Sequence, residues 1–460
     1  MEKTKYFGNN PHLMALQFIA QLVILGLFIL MTIIFSIKKL DIGAYSIVIA
    51  FIAVVFTLLW EKQVNGNTTI VEAEFFGKIN YQVILYLIFM EIVIFALREQ
   101  RIFQWLSLKI IRATKGNPRS FFYVMSIVAT ILSGFMEDVS LAIIIIPLVI
   151  RTCRVLEIKA KPYILGISFS IILGNLLSPF AAGTNIIIAD AFDLNIGWFL
   201  TYFIALLIII ETIVLVFIDL TMIKKQAPPS ERQKTILLEI MNPDLLISEK
   251  YKFVRYLAYF IITITGLVFS YYFPAYIVVM IASVFLCLVE RTKHSLSDYF
   301  DDVDWKLILF LVSIFLMIGC MEINGTISTI SNFVNSITGE NPILTIIIIL
   351  VVSSIISSFI SKSLMAITFS TVLLQIFIGF TPGAPTIDQT LQIMALIIGV
   401  ALAGNLIPPA ATHLLKTIEI AEENFVQGFS FRYFTKYTAL FSGLTMILGF
   451  GYIMLIMVIF

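Results

Sequence analysis

The chain has 460 residues, of which 60% are hydrophobic and 13% charged, with a mean hydropathy of +1.01 and a formal net charge of +1. Such a composition excludes a soluble globular domain. Basic residues spread over loops, with no stripe among them, exclude a nucleic-acid partner. Cys153, Cys287 and Cys320 are odd in number and lie in or beside apolar runs, so no disulfide framework is expected.

In chain order, membrane spans are expected at 15–37, 43–60, 80–97, 161–192, 196–218, 253–273, 275–290, 306–322, 389–420 and 433–459. Each is an apolar run near or above bilayer-crossing length. The first, 15–37, has no small-residue cleavage site behind it and is expected to remain as a helix. Two further apolar segments, 119–152 and 342–378, are interrupted by polar residues near their middles.

The basic residues decide how these two segments run. If both turn back at their polar centres, and the loop holding Lys38 and Lys39 is cytoplasmic, then 25 of the 30 Lys and Arg residues fall on the cytoplasmic side. An excess of Lys and Arg in short loops marks that side, so the spacing predicts two re-entrant helical hairpins with both termini outside the cytoplasm. A multi-pass protein of the plasma membrane is the expected setting.

The chain also repeats. Ser133-Gly-Phe-Met-Glu-Asp-Val-Ser-Leu-Ala-Ile143 aligns with Ser357-Ser-Phe-Ile-Ser-Lys-Ser-Leu-Met-Ala-Ile367 at an offset of 224, and Gly174-Asn-Leu-Leu-Ser-Pro179 with Gly404-Asn-Leu-Ile-Pro-Pro409 at 230. Met90-Glu91-Ile92 finds Met321-Glu322-Ile323 at an offset of 231. The fold class read from this is an all-α polytopic membrane protein of two inverted repeats, each with five spans and one re-entrant hairpin, and with two unwound helices. Residues 1–218 form the first repeat, 219–252 a solvated cytoplasmic linker and 253–460 the second. An odd number of crossings per half inverts the second half, an arrangement typical of secondary transporters with a site near the membrane midplane.

Candidate site residues lie at the interruptions. Glu137 and Asp138, between Ser133 and Ser140, are adjacent carboxylates inside apolar sequence; their counterparts are Ser361, Lys362 and Ser363. Charge at mid-membrane costs several kcal/mol, so it survives inside protein or beside water and marks a functional site. Around Pro179 the helix cannot run regularly, and exposed carbonyls with Asn175, Ser178, Thr184 and Asn185 suit Na⁺ near Asp138 and the 175–185 break. Asn405, Pro408, Pro409, Thr412 and His413 form the matching break. Asp138, Lys362 and His413 are the proton-coupling candidates, with Asp138 and Lys362 expected at equivalent positions of the two tips, where Lys362 is either displaced by an entering Na⁺ or fixed in a structural ion pair with Asp138. Glu91 and Glu322, each toward the end of its span, read equally as interfacial anchors or partners of a basic neighbour and as residues of ion conduction. Asp190 and Asp193 are expected at the outer interface, and Glu211 stands alone in an apolar run.

The tip and break motifs resemble those of the ion transporter superfamily, which includes divalent-anion/sodium symporters, arsenite permeases and sodium/proton antiporters of the D type. The whole chain is most similar to a branch of cation transporters of unknown function. The resemblance implies an elevator, with a moving unit at about 119–195 and 342–424 on a scaffold that forms a homodimer. Symporter tips carry Ser-Asn-Thr, and antiporter and arsenite first tips carry Asp-Asn. Here Glu137-Asp138-Val139 and Ser361-Lys362-Ser363 stand in their place, which argues against dicarboxylate transport.

The expected function is therefore a Na⁺/proton antiporter in which Lys362 stands in for a second cation. The alternative is a Na⁺-coupled symporter of a small anion or carboxylate held by Lys362, and a channel comes third. No His-Glu-x-x-His zinc motif, Gly-x-Ser-x-Gly elbow or Cys/His ligand cluster suggests an enzyme. No cofactor is expected; the partners are the lipid bilayer and a small inorganic ion.

Overall fold

The computed structural model describes residues 11–36, 41–65, 77–247, 249–270, 272–289, 296–301, 303–339, 341–407 and 411–459. Lys3, Lys5, Lys38, Lys39, Arg291 and Lys293 of the charge argument, and Pro408 and Pro409 of the second break, lie outside them. Among the described residues all regular structure is helical, and eight helices are long and apolar enough to cross a bilayer. The chain is a polytopic all-α membrane protein.

Helices α1 (Pro11–Ser36), α2 (Ile42–Asn65) and α3 (Tyr81–Glu99) open the chain. The amphipathic α4 (Ile102–Ala113) follows, entered through Arg101 in the left-handed region at φ 56°. The first interrupted segment is two helices, α5 (Pro118–Ser133) and α6 (Asp138–Val155), joined by four residues. Pro118 starts α5 because its missing N–H is no loss at a first helical position. Asn117 caps that end, its Oδ1 accepting from the Arg119 and Ser120 amides at 3.1 and 3.2 Å.

The next expected span divides into α7 (Lys161–Gly174) and α8 (Gly183–Phe192), and α9 (Ile196–Ile218) closes the first half. The second half brings α11 (Lys250–Val268), α12 (Ala275–Val289), α13 (Leu296–Asp301), α14 (Trp305–Ile323) and the amphipathic α15 (Thr326–Thr338), which starts after Gly325 at φ 79°. The second interrupted segment is α16 (Pro342–Ser357) and α17 (Lys362–Ile376), again opened by Pro after a capping Asn341. Then comes α18 (Ile387–Ile397), which loosens into a π turn at 398–402 and a 3₁₀ turn at 403–405 before the break. Beyond it run α19 (Thr412–Glu423) and α20 (Phe431–Ile459).

The joint at 219–252 holds short helical elements and is largely exposed. Asp219–Ile223 continues α9 as a π turn, α10 (Glu231–Ile240) carries a Ser230–Gln233 capping box, and Lys250 already belongs to α11. The apolar Leu237 is fully buried and α10 packs on α6, so an amphipathic turn hidden in charged sequence docks this segment.

Two packings position the site. Helix α6 lies against α19, and α17 against α8, so each hairpin's second arm pairs with the helix after the other half's break. All four of these helices begin at one place, the rim of a single cavity.

Candidate functional site

That cavity has a volume of about 440 Å³. Its walls include the first-turn residues Asp138, Val139 and Ser140 of α6 and Gly183 and Thr184 of α8. Ser361, Lys362 and Ser363 come from the start of α17, and Thr412 and His413 from α19. The facing wall is a stripe of α3, with Tyr86, Met90, Glu91, Ile94 and Arg98 at helical three- and four-residue spacing, and the start of α14 at Asp304 and Leu307.

The first tip is built around its carboxylates. Glu137 is the N-cap of α6, accepting from the Ser140 amide at 3.2 Å. Asp138 is engaged from two helices: Ser133 Oγ of α5 lies 2.9 Å from Oδ1, and Asn175 Nδ2 at the end of α7 donates to Oδ2 at 3.2 Å. His413 Nδ1 stands 3.5 Å from the same Oδ2, while its Nε2 is buried without a hydrogen-bond partner.

The second tip follows the same plan with opposite polarity. Lys362 Nζ donates to Asn405 Oδ1 at 2.6 Å and lies 3.5 Å from the Ala401 carbonyl. Asn405 in turn directs its Nδ2 to the Ala401 and Leu402 carbonyls freed where α18 unwinds. Asp138 and Lys362 both face the cavity, and each is held by the Asn of its own break. Lys362 is also a cation at a helix N-terminus, the end that a helix dipole makes positive.

Helix ends add to the field of the cavity. The N-caps Ala182 of α8, Ser361 of α17 and Ala411 of α19 make no side-chain capping bond, in contrast to Glu137 on α6. Three sets of first-turn N–H groups therefore lack a side-chain acceptor from their own cap where the cavity begins. Such ends favour anionic groups.

Of the remaining candidates, Ser133, Ser178, Asn185 and Asn405 are buried behind the lining. Ser178 Oγ donates to the Gly134 carbonyl and ties the tip to the break; Asn185 Nδ2 donates to the Asn175 carbonyl across the break. Asn175 Oδ1 and Asn185 Oδ1 are both buried with no donor. Among the described residues no group of three His, Cys, Asp or Glu side chains could hold a metal ion.

Sequence reasoning missed part of the wall. Glu91 lines the cavity, with Oε2 accepting from the Asp304 amide at 2.7 Å, whereas Glu322 pairs with Lys78. Arg98 and Tyr86 also line it. The periodic stripe on α3 was the available signal. Asp190 accepts from Asn80, and together with Asp193 it lines a second cavity of about 370 Å³ near the starts of α3 and α12. Tyr86, Phe180 and Ile186 belong to both cavities, and the rings of Tyr86 and Phe180 stack at 5.4 Å between centroids.

A family model described as citrate transporter (CitMHS) matches residues 27–401. The chain is 22% identical over 355 residues to a 46 kDa membrane protein of Mycobacterium leprae, covering 75% of this chain and 79% of that one. It is 23% identical over 381 residues to an uncharacterized transporter of Mycobacterium tuberculosis, covering 82% and 86%.

Proposed function

The chain belongs to the citrate transporter family, and on that footing we propose that this membrane transporter carries a small carboxylate anion together with a coupling cation. The observation that carries the reading is Lys362 and three side-chain-uncapped helix N-termini around one cavity of about 440 Å³. A void in the usual range of small-molecule sites, about 300–1,000 Å³, is far larger than a bare Na⁺ or proton needs.

The two carboxylates of the first tip then have a definite task. An anion beside Glu137 and Asp138 is repelled unless a cation is present. Asp138, bonded to Asn175 whose Oδ1 is buried without a donor, offers hard ligands suited to Na⁺, and either carboxylate can instead take a proton. Anion and cation thus favour each other's binding, a reciprocal coupling that suits symport.

The inverted repeat, the elevator motion of hairpins and breaks on a dimeric scaffold, extracytoplasmic termini and a plasma-membrane location complete this reading. They rest on the sequence repeat, the charge asymmetry and the resemblance. A second reading, Na⁺/proton antiport with Lys362 as the proton carrier, is favoured by the excess of carboxylates over amines at the tips and by the neutral partner of Lys362.

Titration calorimetry on the purified protein separates the two, with citrate, tricarballylate, malate and succinate each added in Na⁺ and in a Na⁺-free buffer. Carboxylate transport predicts binding that needs the cation, is weakened in Lys362→Gln and is stripped of its cation dependence in Asp138→Asn. Na⁺ binding with no response to any carboxylate would give the antiport reading precedence.

A further inference from the structure

Glu211 lies outside the cavity, on the back of the first hairpin. It sits within α9, in the most apolar of the candidate spans, and is 7% exposed. Its Oε1 accepts from Thr130 Oγ1 of α5 at 2.7 Å and from Ser170 Oγ of α7 at 3.3 Å.

The charged groups of the surrounding elements are committed elsewhere. On α5, Arg119 pairs with Asp219 of the π turn, and Tyr123 donates to the same carboxylate at 3.0 Å. On α7, Lys161 lies over the Tyr433 ring of α20 at 5.2 Å, and Tyr163 packs on Phe121 and Phe122. Arg432 of α20 is exposed to solvent, as is Lys436. Among the described residues no Lys, Arg or His makes an ion pair with Glu211. A carboxylate in such a place, held by hydroxyls alone, is unfavourable by several kcal/mol until it takes up a cation.

Thr130 has somewhere else to turn. Its Oγ1 is 3.1 Å from the Ser170 carbonyl and 3.2 Å from the Ser126 carbonyl, but its one hydrogen can serve a single acceptor. A charged Glu211 draws that hydrogen to itself; a neutral one releases it to a carbonyl, and the Ser170 carbonyl lies across the seam between α5 and α7. One turn along the same seam, Ser133 Oγ reaches both the Ile171 carbonyl at 2.6 Å and Asp138 Oδ1.

We infer that Glu211 is a proton-binding site separate from the cavity, whose protonation switches the Thr130 hydroxyl from the carboxylate to the backbone carbonyls beside it. The proton comes from and returns to solvent water, with no other bond made or broken. The site works whatever fills the cavity, so its failure and that of the carboxylate reading are independent.

Difference infrared spectroscopy of the full chain in lipid, titrated through the neutral pH range, tests it. The expected result is a carboxylic-acid carbonyl band that grows as pH falls, is missing in Glu211→Gln, persists in Glu137→Gln and Asp138→Asn, and shifts in frequency in Thr130→Val. A band present at every pH would make Glu211 a fixed neutral acid and overturn the proposal. So would a Glu211→Gln spectrum identical to wild type, or a band lost in Asp138→Asn alone. Should Glu211→Gln fail to fold, Thr130→Val decides: an unmoved band overturns the assignment.

Discussion

Asn175 and Asn405 show how one residue type serves opposite charges. An amide carries both donor and acceptor, so the same residue at corresponding breaks donates to Asp138 in one half and accepts from Lys362 in the other. Replacing Asn405 with Asp would give Lys362 a permanent partner; the fold should be retained while calorimetry shows weakened carboxylate binding. Lys362→Gln should weaken the same binding about 10- to 100-fold, the size of a hydrogen bond to a charged group. Asp138 and Lys362 were legible in the sequence because a charge inside an apolar run is too costly to persist without a polar cavity or a partner. Their Asn partners were legible as residues of a break, but which amide atom each turns inward depends on where α7 and α18 lose their backbone bonds. Glu91 stayed open between an anchor and a part in ion conduction, because a carboxylate near the end of a span reads either way until the facing helices are in place.

Helix boundaries follow local chemistry that single-span reasoning overlooks. Asn117-Pro118 and Asn341-Pro342 start the two hairpins at the same offset as their tips, and each Asn caps its helix. The amphipathic α4 and α15 precede them, too short and too polar for a search tuned to bilayer-crossing runs. At the first break, close approach explains a glycine: a Cβ on Gly174 would sit 2.5 Å from the Thr130 carbonyl oxygen and 2.6 Å from Ser133 Cβ. Gly174→Ala should therefore cost about 1–3 kcal/mol, the range for overpacking, and lower the melting temperature in detergent. Gly183→Ala, with nothing within 4 Å of the added methyl, should leave it unchanged.

Across the whole molecule, the helical class and the two interrupted segments could be read from apolar length and polar interruptions alone, whereas eight helices among the described residues are long and apolar enough to cross a bilayer against the ten spans expected. The exchange of partners between halves, α6 with α19 and α17 with α8, could not, because helix pairing in lipid is set by shape and not by hydropathy. Neither could the second cavity. Single cysteines at Ser363 and at Asp193, in a background lacking Cys153, Cys287 and Cys320, should react with a membrane-impermeant maleimide from opposite sides of a sealed vesicle. Labelling of both from one side would mean that the two cavities share an entrance.

The Tyr86 and Phe180 rings, with Ile186, line both of those cavities, and an aromatic pair contributes roughly 0.5–1.5 kcal/mol beyond its burial. So slight a contact holds by where it stands: Phe180 belongs to the broken segment and Tyr86 to α3, and a slip of one helical turn, about 5.4 Å, would part them. Trimming Phe180 to Ala should then turn a tightly coupled carrier into a leaky one, seen as downhill solute flux without its driving ion.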